Sequence, residues 1–338
     1  MSDDKAADAA PSRAPFLRTV WRDISEKEIK NYLTPIFGTI LLFMLGQLVV
    51  HGFTSVHSVF NYFALASLTM FACIGQTLVV LSGNSGIDLS IGALMSIGAA
   101  WGGALSGGTT IGVLWAVILI GTIGAMCGLL SGASVQYLGM PAMVVTLSVG
   151  NLVNGAYLAV TKGQPAGTSA PILKTIGTEN AFWNIRWILI IAIVCIVIIE
   201  LVLRKTKYGK SLYLVGTNRN ASGLIGIKTQ KTLVMTYVLA GISAAVAGIL
   251  LFSVVGSMQA GMGNDYTMLA VAAVVIGGTN IAGGKGTYIG AILGAIMITV
   301  LTGFLTVIQI PEGARNCIKG LILLSILLAY ARSAKLRQ

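Results

Sequence analysis

The chain has 338 residues, 55% hydrophobic and 10% charged, with a mean hydropathy of +0.86 and a formal net charge of +11. Such apolarity lies outside the range of soluble globular domains, and apolar runs long enough to cross a hydrocarbon core of about 30 Å recur along the sequence. The ten-residue alternation of a membrane β-barrel is absent, which leaves an all-α integral membrane protein.

In chain order, residues 1–32 read as a polar cytoplasmic tail without a secretory signal, and Trp21 to Lys30 suits a short amphipathic helix on the inner surface. Residues 33–332 read as the transmembrane domain. Its expected helices, about ten and some broken by Gly-rich segments, are 34–51, 59–81, 90–107, 111–132, 142–161, 185–203, 233–255, 268–280, 287–310 and 314–331. Residues 333–338 form a second cytoplasmic tail.

The cations test this topology. Six lie in the N-terminal tail, seven in a loop at about 204–231 (Arg204, Lys205, Lys207, Lys210, Arg219, Lys228 and Lys231), one at Lys285, and three at Arg332, Lys335 and Arg337. Parity puts all of these inside, with both termini cytoplasmic. The remaining Lys162, Lys174, Arg186, Arg315 and Lys319 fall in or beside outer segments. The positive charge therefore reports orientation in membrane lipid and gives no reason to expect nucleic acid. Cys73, Cys127, Cys195 and Cys317 lie in apolar runs without a C-x-x-C pair, so neither disulfides nor a metal site is expected.

Between Lys30 and Lys162 the sole formally charged residue is Asp88, within GNSGIDLSIG at Gly83 to Gly92. A carboxylate at a helix centre costs about 2.5 kcal/mol or more in a bilayer, so its surroundings must compensate. Glycines with Asn84, Ser85 and Ser90 supply donors, and interrupted helices at membrane depth occur where they are buried in protein or line a cavity. Asp88 is thus an anchor for a broken helix, a direct ligand for solute, or a proton-coupling site. Gln76, Asn151 and Asn154 also lie within spans. Asn151 and Asn154 share a helix face and suit either interhelical hydrogen bonds or a polar pathway.

Two loops are long. The outer one, about 161–184, contains QPAGTSAP and suits an interfacial or re-entrant element, since Pro165 and Pro171 exclude one long helix. The inner one has apolar spacing at Leu212, Leu214 and Val215 and again at Leu224, Ile225 and Ile227, broken by GTNRNASG, which predicts a short helix outside the membrane. Val79 to Leu94 resembles Val274 to Ile292, each a span, a Gly-rich break and a span. Gly121, Gly124 and Gly128, and Gly286, Gly290 and Gly294, have the spacing of close helix packing.

Three enzyme readings fall. GNSG matches the G-x-S-G of intramembrane serine proteases, yet His51 and His57 both precede the serine in the first outer loop. GMGND (Gly261 to Asp265) lacks the second carboxylate of an aspartyl protease. AGGKGT (Ala282 to Thr287) departs from the phosphate-loop pattern at Thr279 and Gly286, so the chain shows no nucleotide site.

Three stretches resemble the ribose/xylose-type permeases of bacterial ABC importers. GNSGIDLSIGALMSIGA is similar to that family's G-G-I-D-L-S-V-G, VGTNRNASGLIGIKTQKT to its cytoplasmic coupling segment, and LAVAAVVIGGTNIAGGKGTYIGAILGA to its A-I-A-A-V-V-I-G-G-T stretch. The resemblance implies an inner-membrane permease subunit that is not itself an enzyme. Two such subunits, identical or different, would form the pathway. Cytosolic ATPases would hold ATP and Mg, and a periplasmic binding protein would deliver a sugar. Carried over by position, Gly86 to Ser90 fall on the first signature, and Gly216, Asn218, Arg219, Ala221, Gly223, Gly226 and Ile227 on the coupling segment. Thr267, Met268 and Leu269 stand where ribose-type members often carry E-L-D, so the resemblance points to the family rather than to ribose. The alternative is an ion-coupled secondary transporter or channel, which suits the broken helices but leaves the seven-cation loop without a role.

Overall fold

The computed structural model describes residues 13–84, 86–162, 169–257, 259 and 261–335; expectations for the N-terminal twelve, Ser85, 163–168 (with Pro165) and the last three residues lie outside it. Among the described residues there are thirteen helices and one small hairpin. They run α1 (Arg13–Val49), α2 (Val56–Leu81), α3 (Ile91–Leu105), α4 (Thr110–Tyr137), α5 (Ala142–Thr161), α6 (Pro171–Thr178), β1 (Asn180–Phe182), β2 (Ile185–Arg186), α7 (Trp187–Lys205), α8 (Lys207–Thr217), α9 (Arg219–Leu224), α10 (Thr229–Val255), α11 (Asp265–Ile276), α12 (Tyr288–Val307) and α13 (Glu312–Lys335).

Seven of the expected spans are long and apolar enough to cross a bilayer: Asn31–Val49 within α1, then α2, α4, α5, α7, α10 and α12. The expected spans 90–107 and 268–280 are instead α3 and α11, 15 and 12 residues long and too short to cross alone. In the sequence, polar and glycine-rich stretches precede each, at 82–90 and 256–264. The expected span 314–331 lies within α13. A second difference concerns α1, which continues unbroken through Pro35 from Arg13, so Trp21 to Lys30 is no separate helix.

α2 is the axis of the bundle. Every residue from Ala66 through Leu81 is buried, as expected of a helix apolar on all sides. α10 packs beside it, where Gly75 meets Ala240, and against α3 and α4 along seams of glycine, which let backbones approach closely. A Cβ at Gly124 would meet the Gly241 carbonyl, one at Gly128 the Tyr237 carbonyl, and one at Gly98 the Ala245 carbonyl. Gly290 and Gly294 seat the same way on Gly277 and Ala273, so the expected close packing holds at Gly124, Gly128, Gly290 and Gly294, whereas Gly121 makes only ordinary contacts and Gly286 lies in the break against Thr279. The outer faces of α1, α4, α5 and α7 carry exposed Leu, Ile, Val and Met, suited to lipid.

The outer loop forms α6 and the β1–β2 hairpin. Pro171 opens α6 at its first turn, where a missing N–H costs nothing. Gly177 presses α6 onto the Ser253 carbonyl near the end of α10.

Candidate solute pathway and coupling site

The Asp88 segment leaves α2 through two residues with left-handed backbone, Gly83 (φ 83°) and Asn84 (φ 56°). Asp88 is 2% exposed, and its Oδ1 accepts from the Ser90 amide at 2.8 Å and the Ser90 hydroxyl at 2.6 Å. Thr146 on α5 clamps the same chain: its Oγ1 accepts from the Leu89 amide at 2.9 Å and donates to the Ala142 carbonyl at 2.9 Å. The carboxylate thus holds the start of α3 in place.

α3 is tied in turn to α11. The Gly92 amide donates to Thr267 Oγ1 at 2.9 Å, and the Gly263 amide donates to Ser96 Oγ at 3.0 Å. Two short helices therefore begin side by side. Their depth follows from Gly98, which seats on Ala245 and Gly248 of the 27-residue α10. At about 1.5 Å per residue, Gly92 and Ser96 lie in the middle third of a helix roughly 40 Å long. Helix N-termini carry about half a positive charge each, so the meeting point favours oxygen-rich groups.

The inner loop contains two short helices where one was expected. Asn218 separates them, ending α8 in extended backbone (φ −158°) and capping α9 by accepting from the Ala221 amide at 3.0 Å. Arg219 is half-buried beside Tyr237 of α10; burial pulls its guanidinium below the ordinary value, and the phenol opposes that shift. Ala221, Gly223 and Gly226 are exposed, Ile227 is half-buried, and Leu224 and Ile225 are 90% and 69% exposed outside the bundle.

Gly216, by contrast, is buried, and a Cβ there would meet the Leu81 carbonyl. That carbonyl also accepts from the Gly284 amide at 3.0 Å. Gly83 and Gly283 (φ 93°) face each other with no room for a Cβ, and the Tyr213 hydroxyl donates to the Gly286 carbonyl at 2.8 Å. The last turn of α8 therefore sits on both Gly-rich breaks that the sequence pairs as similar.

Asp88 and Ser90 come together, with Asn151 and Asn154 on the adjoining face of α5, where Gly150 packs on Ser90. Asn151 is exposed, Asn154 is half-buried, and neither makes a side-chain hydrogen bond among the described residues. Gln76 stands apart, fully buried in α2 with both amide atoms unpaired, and Asn84 is exposed in the break beside α8. Thr146, Thr267, Ser96 and Tyr237 escape sequence reading because a threonine, serine or tyrosine in an apolar helix carries no periodic signal.

A family profile described as branched-chain amino acid transport system / permease component matches residues 58–327. The autoinducer 2 import system permease protein LsrC of Photorhabdus luminescens is 32% identical over 305 residues, covering 89% of each chain. LsrC of Yersinia pestis (strain Pestoides F) is 31% identical over 302 residues, covering 88% of this chain and 84% of the relative. No solved structure matches. With most of its length matched by that profile, the chain belongs to the family of ABC importer permease components, as a multi-pass subunit of the bacterial inner membrane.

Proposed function

We propose that this chain, paired with a second permease subunit, forms the path of a small, oxygen-rich, monosaccharide-like solute, with ten membrane segments and both termini in the cytoplasm. The observation that carries the solute class is the match along 89% of permeases named for autoinducer 2 import, a sugar-like solute. The crossed starts of α3 and α11 support it, since their amide dipoles suit hydroxyl and carbonyl oxygens. A periplasmic binding protein delivers the solute and cytosolic ATPases, holding ATP and Mg, drive the cycle.

Arg219, Asn218, Ala221, Gly223, Gly226 and Ile227 dock the ATPase, and Gly216 passes its movement on. Displacement of α8 shifts the breaks at 82–90 and 277–287 together, and these lead to α3 and α11, which are tied through Gly92 and Thr267. Asp88 serves as the anchor of this circuit, and Gln76, Asn84, Ser90, Asn151 and Asn154 belong to its polar lining. Switching between outward and inward access is a rigid displacement of packed helices.

The family's description favours a second reading, a branched-chain amino acid as solute. Vesicles reconstituted with permease, ATPases and cognate binding protein distinguish the two. ATP-dependent accumulation of autoinducer 2 or D-ribose, with none of L-leucine, is expected; the reverse selectivity overturns the sugar-like class.

A further inference from the structure

A second polar cluster lies at the depth of Ser96, on the side of α11 away from Asp88. A cavity of about 230 Å³ opens between α11, α12 and α13, and Asn264, Asp265, Asn316 and Lys319 line it together with apolar side chains such as Met268 and Leu269. That volume is below the several hundred Å³ of sites for drug-sized ligands and suits a smaller solute. Asn264 Oδ1 accepts from Ser96 Oγ at 3.3 Å, which fixes the level of the cluster in the middle third of α10. Lys319, expected in or beside an outer segment, therefore reaches the membrane interior.

The exposure of these groups is the informative feature. Asn264, Asp265 and Asn316 are exposed and Lys319 is half-buried, with no ion pair between Asp265 and Lys319 among the described residues. Charged groups facing hydrocarbon at this depth are strongly disfavoured, so intramembrane ionisable residues face a water-filled cavity or one another. α13 also has two unlike faces. Leu321 is 62% exposed and Leu324 52%, whereas Asn316 and Lys319 turn toward α11.

We infer that Asn264, Asp265, Asn316 and Lys319 form a solute-contact station on an aqueous path through the membrane, which takes a neutral polyhydroxylated solute. Asp265 accepts hydrogen bonds from hydroxyls, Lys319 and the two amides donate to the solute's oxygens, and Met268 and Leu269 meet its carbon faces. The carboxylate and ammonium are held within one cavity without pairing, so each keeps its hydrogen-bonding capacity for a ligand. The solute class rests on the function proposed above; the aqueous exposure of the face does not. The opposite wall belongs to the second permease subunit.

The test uses the complete complex in vesicles. In a Cys317→Ser background, Asn316→Cys is exposed to a membrane-impermeant thiol reagent beside a Leu321→Cys control. Separately, Asp265→Asn and Lys319→Gln are assayed for autoinducer 2 uptake and for ATP hydrolysis stimulated by the binding protein. The station predicts labelling at 316 but not at 321, and at least tenfold slower uptake with ATP hydrolysis within about twofold of the parent. An unlabelled thiol at 316, or uptake at the parent rate in both charge variants, overturns it. Should ATP hydrolysis fall with uptake, the labelling pair decides alone. If the parent complex carries no sugar-like solute but 316 is labelled, the solute class fails while the aqueous face stands.

Discussion

Asp88 keeps its hydrogen bonds within two residues of chain, through the amide and hydroxyl of Ser90. An asparagine carbonyl accepts both bonds, so Asp88→Asn should fold and retain most uptake. Asp88→Ala should lower the half-inactivation temperature, with a loss of about 1–3 kcal/mol typical of a buried donor left without its acceptor. Normal membrane abundance with abolished uptake in Asp88→Asn would contradict the anchoring role. Glycines of the coupling segment separate in the same way. A Cβ at Gly216 runs into the Leu81 carbonyl, whereas a Cβ at Gly223 meets nothing. Gly216→Ala should displace α8 at a cost of about 1–3 kcal/mol and slow uptake at least tenfold, while Gly155→Ala on α5, where a Cβ also meets nothing, leaves it within twofold. Equal uptake by the two variants would remove Gly216 from the transmission path. Asp88 was legible because a lone charge in an apolar sequence stands out. Thr146 and Thr267 were not, because their role depends on which backbone amide the fold brings opposite them.

Among the elements, α8 and α9 join α7 to α10 and, in the function proposed above, link the membrane helices to the ATPases. α8 lies against the bundle through Leu212, Val215 and Gly216, and the Tyr208 hydroxyl is 2.9 Å from Thr236 Oγ1 of α10. α9, in contrast, presents Leu224 and Ile225 to solvent. Exposed aliphatic residues on a capped helical turn outside the bundle fit insertion into a partner's groove. Leu224→Asp with Ile225→Asp should reduce co-purification of the ATPase subunits at least tenfold without changing membrane insertion of the permease. Unchanged co-purification would exclude this turn from the interface. Apolar spacing announced helical structure in the loop, yet not its division, because Asn218 ends one helix and caps the next. Likewise, hydropathy marked 90–107 and 268–280 as apolar but gave no sign that both helices start inside the bundle. Their length is set by tertiary ties at Gly92 and Gly263, which leave no trace in a sliding average.

Across the whole molecule, the long helices form a frame around α2, and two short helices inside it begin side by side. The two Gly-rich breaks join this interior to α8, so a push at one face of the bundle reaches the level of Ser90 through backbone contacts rather than through long side chains. Close glycine packing resists compression and transmits displacement. Helical class and membrane location were readable from hydropathy alone, and the family from three motifs. The polar face on α11 and α13 was not, since Asp265 and Lys319 are 54 residues apart in sequence and meet only through the return of α12. In the function proposed above, the chain is a gate moved by a separate ATPase through α8 and α9. The most direct test is solute accumulation in vesicles containing this permease with and without the ATPase subunits, with binding protein and ATP present. Accumulation is expected only in the complete system, with its loss in Arg219→Glu; accumulation by the permease alone, driven by an ion gradient, would contradict a gate moved by the ATPase.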